Sequence, residues 1–289
     1  MGTVRERIAA GLVGRAREID LVLAAVSAGR DVLLEGPPGT SKSTILRAIT
    51  SCWGVPFVLV EGNADLTPSK LVGHHNPARV LKEDYSPDNF VPGPLVEAME
   101  TGGFLYIEEL NRAPEDTLNT LLAAMAERQV ALPRVGTVTA RPSFRVMASM
   151  NPFDNVGTAR ISASVYDRWC RLALGYQDAA EEERIVAVRT GSADTRLIAD
   201  AVALTRATRG HPLLRRGSSV RGAIDLVAVA TALESVRAEN TADNNYSGRV
   251  LDAAHLALSA RIAVDETAEA TPEEIITHLW ERRPAAGGA

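Results

Sequence analysis

Apolar positions recur along this chain in two rhythms that divide it near residue 177. In the first part, short apolar runs alternate with helical stripes. Ile19, Val22, Leu23 and Val26 share one helical face over 17–28, and the run DVLLE at 31–35 follows as a strand. A helix is predicted over 45–52, then a strand for PFVLVEG from Pro56. The run at 103–107 reads as a third strand, and Leu118, Leu121, Leu122 and Met125 lie in register on a helix over 115–128. Segments 129–132 and 137–140, joined by PRVG, predict a β-hairpin. FRVMASM from Phe144 and RLALG from Arg171 are the fourth and fifth strands. Strands alternating with helices in this way predict an α/β domain over 1–176, a parallel sheet with helices on both faces.

Between residues 63 and 94 the pattern dissolves into proline, glycine and polar residues, over a length that exceeds an ordinary connection and marks a functional insert. From Asp178 the periodicity is helical throughout, which predicts an all-helical domain over 177–289. Its helices at 246–262 and 271–283 read as core, with Leu251, His255, Leu258 and Ile262 on one face. The closing PAAGGA is expected to fray.

Composition narrows the class. A chain of 289 residues, 46% hydrophobic, can bury a substantial core. Its apolar stretches fall short of the roughly eighteen residues of a membrane helix, and its beginning lacks the tripartite signal-peptide pattern, so a cytoplasmic protein without a membrane span is expected. The two cysteines, Cys52 and Cys170, have neither disulfide-framework nor zinc-ligand spacing and read as buried thiols. A net charge of −5 argues against a surface that coats nucleic acid, although a local basic channel in a ring would escape that test. Of the 31 basic residues only Lys42, Lys70 and Lys82 are lysines, which makes the location of Lys42 informative.

Lys42 lies in GPPGTSKST, formed by Gly36, Pro37, Pro38, Gly39, Thr40, Ser41, Lys42, Ser43 and Thr44, between a predicted strand and a predicted helix. That is the context of a phosphate-binding loop, where backbone N–H groups and a helix N-terminus surround the phosphates. Lys42 would supply a compact cation to the β- and γ-phosphates of ATP, and the Ser43 hydroxyl would ligate Mg2+. Ser41 replaces the last glycine of GxxxxGK[ST] and is small enough to keep the loop. The plainer alternative is a Gly/Pro turn with Ser43 as a helix cap.

FLYIEELNRAP at 104–114 delivers Glu108 and Glu109 to the end of a buried strand, the edge at which open α/β folds bind ligands. Glu108 would approach the magnesium shell and Glu109 the attacking water. Glu108 reaches one bond further than the usual aspartate, so its carboxylate must bend back or act through a metal-bound water, with weakened magnesium affinity as the expected result. The alternative is a solvated acidic strand end.

GPPGTSKS, IEELNRAP and LLAAMAERQV together resemble the MoxR branch of the AAA+ ATPases, relatives of the magnesium-chelatase motor subunit, from about Val13 to the C-terminal helices. The resemblance implies a P-loop NTPase domain followed by a helical lid, with 63–94 as the helix-2 insert and 129–143 as the pre-sensor hairpin. It implies that Asn151 in SMNP is the sensor that positions the lytic water, and that Arg168 in VYDRW is the arginine finger acting on a neighbour's ATP. Arg221 would be the lid's γ-phosphate contact, and Val13 and Gly14 the backbone beside adenine. Without the resemblance, Asn151 is a turn residue before Pro152, Arg168 pairs with Asp167 or another carboxylate on the surface, and Arg221 is a structural arginine in the first turn of a helix capped by Ser219 and carrying Val220, Ile224, Val227 and Thr231. Arg112 either orients the neighbouring glutamates or reaches a partner subunit. His74 and His75 lack a third spaced ligand and read as loop residues rather than a metal site.

The family further implies a Mg-ATP-dependent homo-hexameric ring acting as a chaperone or remodelling motor. Its partner would carry a von Willebrand factor A domain, and its protein client would be a metalloenzyme under maturation or a complex under assembly. A nucleotide-gated assembly scaffold that hydrolyses slowly is the alternative, motivated by Glu108. A small-molecule kinase and a nucleic-acid motor are the other classes considered.

Overall fold

The computed structural model describes residues 4–9, 11–83, 85–152, 163–238 and 245–283. The chain divides into two compact units, Met1–Gly175 and Tyr176–Ala289. In the first unit the strands are, in chain order, β1 (Val32–Glu35), β2 (Phe57–Glu61), β3 (Gly73–His75), β4 (Phe90–Pro92), β5 (Phe104–Glu108), β6 (Gln129–Leu132), β7 (Gly136–Thr139), β8 (Arg145–Met150) and β9 (Cys170–Ala173). The helices are α1 (Val4–Ala9), α2 (Ala16–Ser27), α3 (Lys42–Trp53), α4 (Pro68–Val72), α5 (Pro77–Glu83), α6 (Pro94–Thr101), α7 (Glu115–Glu127) and α8 (Ala163–Tyr166).

Five strands form one parallel sheet in the order β2–β5–β8–β1–β9. Side chains alternate across it. Val32, Leu34, Phe104, Tyr106 and Met147 pack with Ile19, Ile45 and Ile49 from α2 and α3. Leu33, Leu105, Ile107, Val146 and Ala148 pack with Leu71, Leu95, Leu118 and Leu121 from α4, α6 and α7. Burial on both faces explains why β1, β5 and β8 read as unbroken apolar runs. Helix α3 begins at Lys42 rather than at residue 45, because its polar first turn carries no periodic signal.

The stretch 63–94 carries α4, β3, α5 and β4, with β3 and β4 paired antiparallel. This excursion leaves and returns at one point. The Gly93 amide donates to the Val72 carbonyl at 2.9 Å, and a Cβ on Gly93 would fall 2.5 Å from the Leu71 carbonyl oxygen. His74 and His75 lie on β3 rather than in a loop, and the His75 ring packs edge-on against Tyr85 and Phe90 at 5.2 and 5.4 Å. Arg134, in the turn between β6 and β7, sits over the Tyr85 ring at 5.1 Å, so hairpin and excursion stand side by side.

The second unit packs α9 (Ala179–Thr190), α10 (Thr195–Arg209), α11 (Val220–Val236), α12 (Tyr246–Leu258) and α13 (Pro272–Glu281) around Leu226, Val250, Leu258, Ile276 and Trp280. It also holds an antiparallel ribbon that helical periodicity did not predict, β10 (Leu214–Arg216) with β11 (Ala263–Val264). Strands this short, with a bulge between Leu214 and Arg216, leave no alternating signature in the sequence. The buried face of α12 is Val250, Ala253, Ala254, Ala257 and Leu258, whereas Leu251 and His255 lie at its margin. Glu182, 2% exposed, is held between Arg206 and Arg209 at 3.3 and 2.8 Å.

Cys170 is exposed and Cys52 half-buried, so neither is the fully buried thiol expected. Among the described residues no helix is long and apolar enough to cross a membrane. The closing PAAGGA lies outside the described residues.

Candidate active site

Strand order builds the site. Because β8 lies between β5 and β1, the residue after β8 emerges between the loop that follows β1 and the acidic pair that ends β5. Asn151 is that residue. Its backbone carbonyl accepts from the Asn111 amide nitrogen at 3.1 Å, which ties it to the turn following the two glutamates.

The loop from Gly36 to Ser41 owes its shape to close approaches. A Cβ on Gly36 would lie 2.3 Å from the Leu174 carbonyl oxygen, so only glycine lets the loop leave β1 beside β9. Pro37 and Pro38 carry the arch outward, and the buried Thr40 hydroxyl closes it by donating to the Pro37 carbonyl at 2.9 Å. Gly39 has φ 79°, and Ser41 has φ 68°. Ser41 therefore occupies the left-handed conformation for which glycine is the default, and the loop keeps its shape at a local energetic cost. Lys42 Nζ donates to the carbonyls of Gly36 and Pro37 at 2.7 and 2.9 Å, a position from which it commands the loop interior. Ser43 and Thr44 follow in the first turn of α3, where the helix N-terminus adds partial positive charge.

Glu108 and Glu109 point into different surroundings. The Glu108 carboxylate accepts from the Tyr106 hydroxyl at 2.9 Å and lies 3.7 Å from the Arg47 guanidinium, both contacts falling on Oε1. Glu109 takes the left-handed conformation with φ 51°, and its carboxylate pairs with Arg112 at 2.8 Å. Of the two roles considered for Arg112, orienting a glutamate is the one this contact matches. Backbone strain of this kind concentrates at functional sites. Gly62 makes room for it, since a Cβ there would lie 2.4 Å from the Glu109 carbonyl oxygen.

Sequence reasoning missed Tyr106. Fully buried in β5, its hydroxyl meets Glu108 at 2.9 Å and the Ser149 hydroxyl at 3.0 Å. Burial pushes the phenol far above its ordinary pKa, and the neighbouring Glu108 charge adds to the shift, so it remains a proton donor at any working pH. A tyrosine in an otherwise apolar buried run was the available signal, because a buried O–H must find a partner. Glu35, at the end of β1, was also missed. It is 1% exposed and pairs with Arg171, and nearby Tyr166 has a pKa that burial raises to about 12.

Val13 is half-buried and Gly14, with φ 68°, turns the chain into α2. The next residue, Arg15, is 4% exposed and donates to the Gly175 carbonyl at 2.7 Å. Arg168 follows α8 with its side chain exposed and has no ion pair with Asp167 among the described residues. In the second unit Arg221 stands exposed in the first turn of α11. Ser219 occupies the N-cap position without a side-chain capping bond, and the buried face of α11 runs through Val220, Ala223, Leu226, Val227 and Ala230 rather than Ile224 and Thr231.

The donor set fits a magnesium–nucleotide complex. Ser43, in the first turn of α3, and Glu108, held by the Tyr106 phenol, offer hard oxygen ligands, and no cluster of three or more acidic, His or Cys side chains is present among the described residues. Magnesium bound with a nucleotide needs only one or two protein ligands and takes the remainder from phosphate and water.

Residues 31–169 match the model of the AAA domain in its dynein-related subfamily. The MoxR protein of Paracoccus denitrificans is 33% identical over 174 residues, covering 60% of this chain and 49% of its own length. The uncharacterized protein YeaC of Bacillus subtilis is 29% identical over 261 residues, covering 80% of this chain and 78% of its own. A solved structure from Cytophaga hutchinsonii, 22% identical, superposes with a TM-score of 0.53 over 97% of this chain and 93% of that one. With a phosphate-loop sequence after β1 and an acidic pair after β5, residues 31–169 read as an AAA domain of the kind found in ATP-hydrolysing enzymes, and the chain is similar to MoxR proteins over about half of their length.

Proposed function

We propose that the chain is one subunit of a magnesium-dependent, homo-hexameric ring that couples ATP hydrolysis to remodelling of a protein client. The observation that carries the site assignment is the Glu108 carboxylate held by the Tyr106 hydroxyl at 2.9 Å, at the C-terminal edge of the sheet where Asn111 ties Asn151 to the turn that follows Glu109. Gly36, Pro37, Pro38, Gly39, Thr40 and Ser41 wrap the phosphates, and Lys42 exchanges its two carbonyl partners for phosphate oxygens, which form stronger charge-assisted bonds. Thr44 continues the helix start. Ser43 and Glu108 would hold magnesium, which when bound would supply charge neutralisation to the phosphates. Glu109, oriented by Arg112, accepts the proton of the attacking water, and Asn151 fixes that water's position. Arg168 reaches a neighbouring subunit's γ-phosphate, Arg221 contacts the phosphate from the lid, and Val13 and Gly14 line the adenine. The units act as an α/β nucleotide domain over 1–176 and a helical lid over 177–289.

The partner follows from the family. A protein with a von Willebrand factor A domain would link the ring to a metalloenzyme or a complex under assembly, and a cytoplasmic location suits that role. Exposed apolar side chains on the excursion, Leu81 at 88%, Tyr85 at 50% and Val91 at 43%, support a protein-contacting role for it. The slow scaffold is the second reading, favoured by the two groups already engaging Glu108.

ATP turnover measured across magnesium and protein concentration, in the native protein, Glu109→Gln and Glu108→Asp, separates the two. The motor is expected to turn over faster per subunit as concentration rises, to lose about 10²-fold or more in Glu109→Gln, and to need less magnesium in Glu108→Asp. Native turnover no greater than that of Glu109→Gln at every magnesium level would sink the motor and leave the scaffold.

A further inference from the structure

We propose that Tyr106 is a positioning residue for the magnesium site, a clamp that lets a glutamate at position 108 serve where a shorter aspartate is usual. This inference rests on the assignment of Ser43 and Glu108 as magnesium ligands. Three observations carry it. Tyr106 is fully buried, with its ring stacked on Phe57 at 5.8 Å between centroids and packed among Ile45, Ile49 and Met147, so its hydroxyl is a fixed point. That hydroxyl donates to Glu108 Oε1 at 2.9 Å while also contacting the Ser149 hydroxyl at 3.0 Å. Glu108 itself is only partly buried, with a side chain 24% exposed, so without an anchor its extra methylene would leave the carboxylate free to swing outward.

Strand geometry explains why this tyrosine is the anchor. Residues 106 and 108 are two apart in β5 and lie on the same face of the sheet, the face toward α3. The phenol reaches up beneath the longer carboxylate and draws it toward the first turn of α3, where Ser43 stands. An aspartate would be held near the strand by its own shorter stem and would gain little from the hydroxyl. Arg47, 51% exposed and 3.7 Å from the same oxygen, is a looser contact that cannot fix the carboxylate in one geometry.

The experiment is a double-mutant cycle in the Glu109→Gln background, so that bound nucleotide is not hydrolysed. A fluorescent ATP analogue is titrated at fixed concentration with Mg2+, and the magnesium concentration giving half-maximal binding is read for Tyr106→Phe, Glu108→Asp and the pair. Tyr106→Phe is expected to raise that concentration on the order of tenfold, the usual effect of losing a group that orients a metal ligand. In the Glu108→Asp background the same substitution is expected to shift it by no more than about twofold, within the limit for uncoupled sites. Equal shifts in both backgrounds, or none with Glu108 present, would overturn the clamp. Lys42→Ala keeps the underlying assignment separately testable: analogue binding unchanged by that substitution refutes the phosphate site itself. Thermal unfolding of Tyr106→Phe, which retains the ring, distinguishes a general packing loss, because such a loss would appear whether residue 108 is native or substituted.

Discussion

Two side chains near the site hold backbone conformations that their residue types resist. Ser41, with φ 68°, is the clearer case, because its hydroxyl makes no capping bond that would offset the cost. A left-handed non-glycine residue costs about 1–2 kcal/mol, and glycine's greater freedom in the unfolded chain returns about 0.5–1 kcal/mol of that. Ser41→Gly is therefore expected to stabilise the protein by roughly 0.5–1 kcal/mol, raising the unfolding midpoint by about 1–3 °C. A lower midpoint in calorimetry would mean that the serine side chain contributes contacts the loop geometry does not reveal. Glu109, with φ 51°, does not invite the same repair, because its carboxylate is assigned to the chemistry.

At the scale of elements, the excursion between α4 and α6 is secured where Gly73 and Gly93 cross. Gly93 has φ −87°, a conformation open to any residue, so its requirement for glycine is purely steric. A Cβ there would meet backbone on three sides, the Leu71 carbonyl oxygen at 2.5 Å and Gly73 N and Val72 C at 2.7 Å. Gly93→Ala is expected to cost about 1–3 kcal/mol, the usual range for overpacking. Because the strain falls at the neck of the excursion, limited proteolysis should cut first within 73–93. Unchanged stability and an unchanged cleavage pattern would show that α4 and α6 separate easily. The element boundaries here were hard to read because β3 and β4 are three residues each, too short to show alternation.

At the scale of the whole molecule, the decisive question is whether one chain completes a catalytic site. Arg168 is exposed and lies two residues past the end of α8, a disposition suited to reaching another subunit. Arg168→Ala is expected to lower turnover by about 10³-fold or more while nucleotide binding persists. Mixing it with Glu109→Gln should restore part of the activity, because a site with intact Glu109 can then receive Arg168 from its neighbour. Absence of recovery at concentrations where native turnover is maximal would place the finger elsewhere and return Arg168 to the surface.

The sequence by itself determined the alternating α/β order, the phosphate loop and the acidic pair, because each is written locally: apolar runs of strand length, glycines at a tight turn, and Lys-Ser at a helix start. It also carried the resemblance to MoxR proteins, through motifs held in continuous stretches. Tertiary structure decided which distant groups meet. Inserting β8 between β5 and β1 brought Asn151 between the loop and the glutamates, and no local pattern encodes a strand's neighbours. Burial of Tyr106 on the α3 face turned a residue that read as one more apolar strand position into the group joining Glu108 and Ser149. The ribbon of β10 with β11 spans 214 to 264, and its register depends on helices packed between those positions in the chain. Local chemistry is legible because neighbouring residues impose it; convergence of distant side chains is legible only once packing has fixed which faces touch.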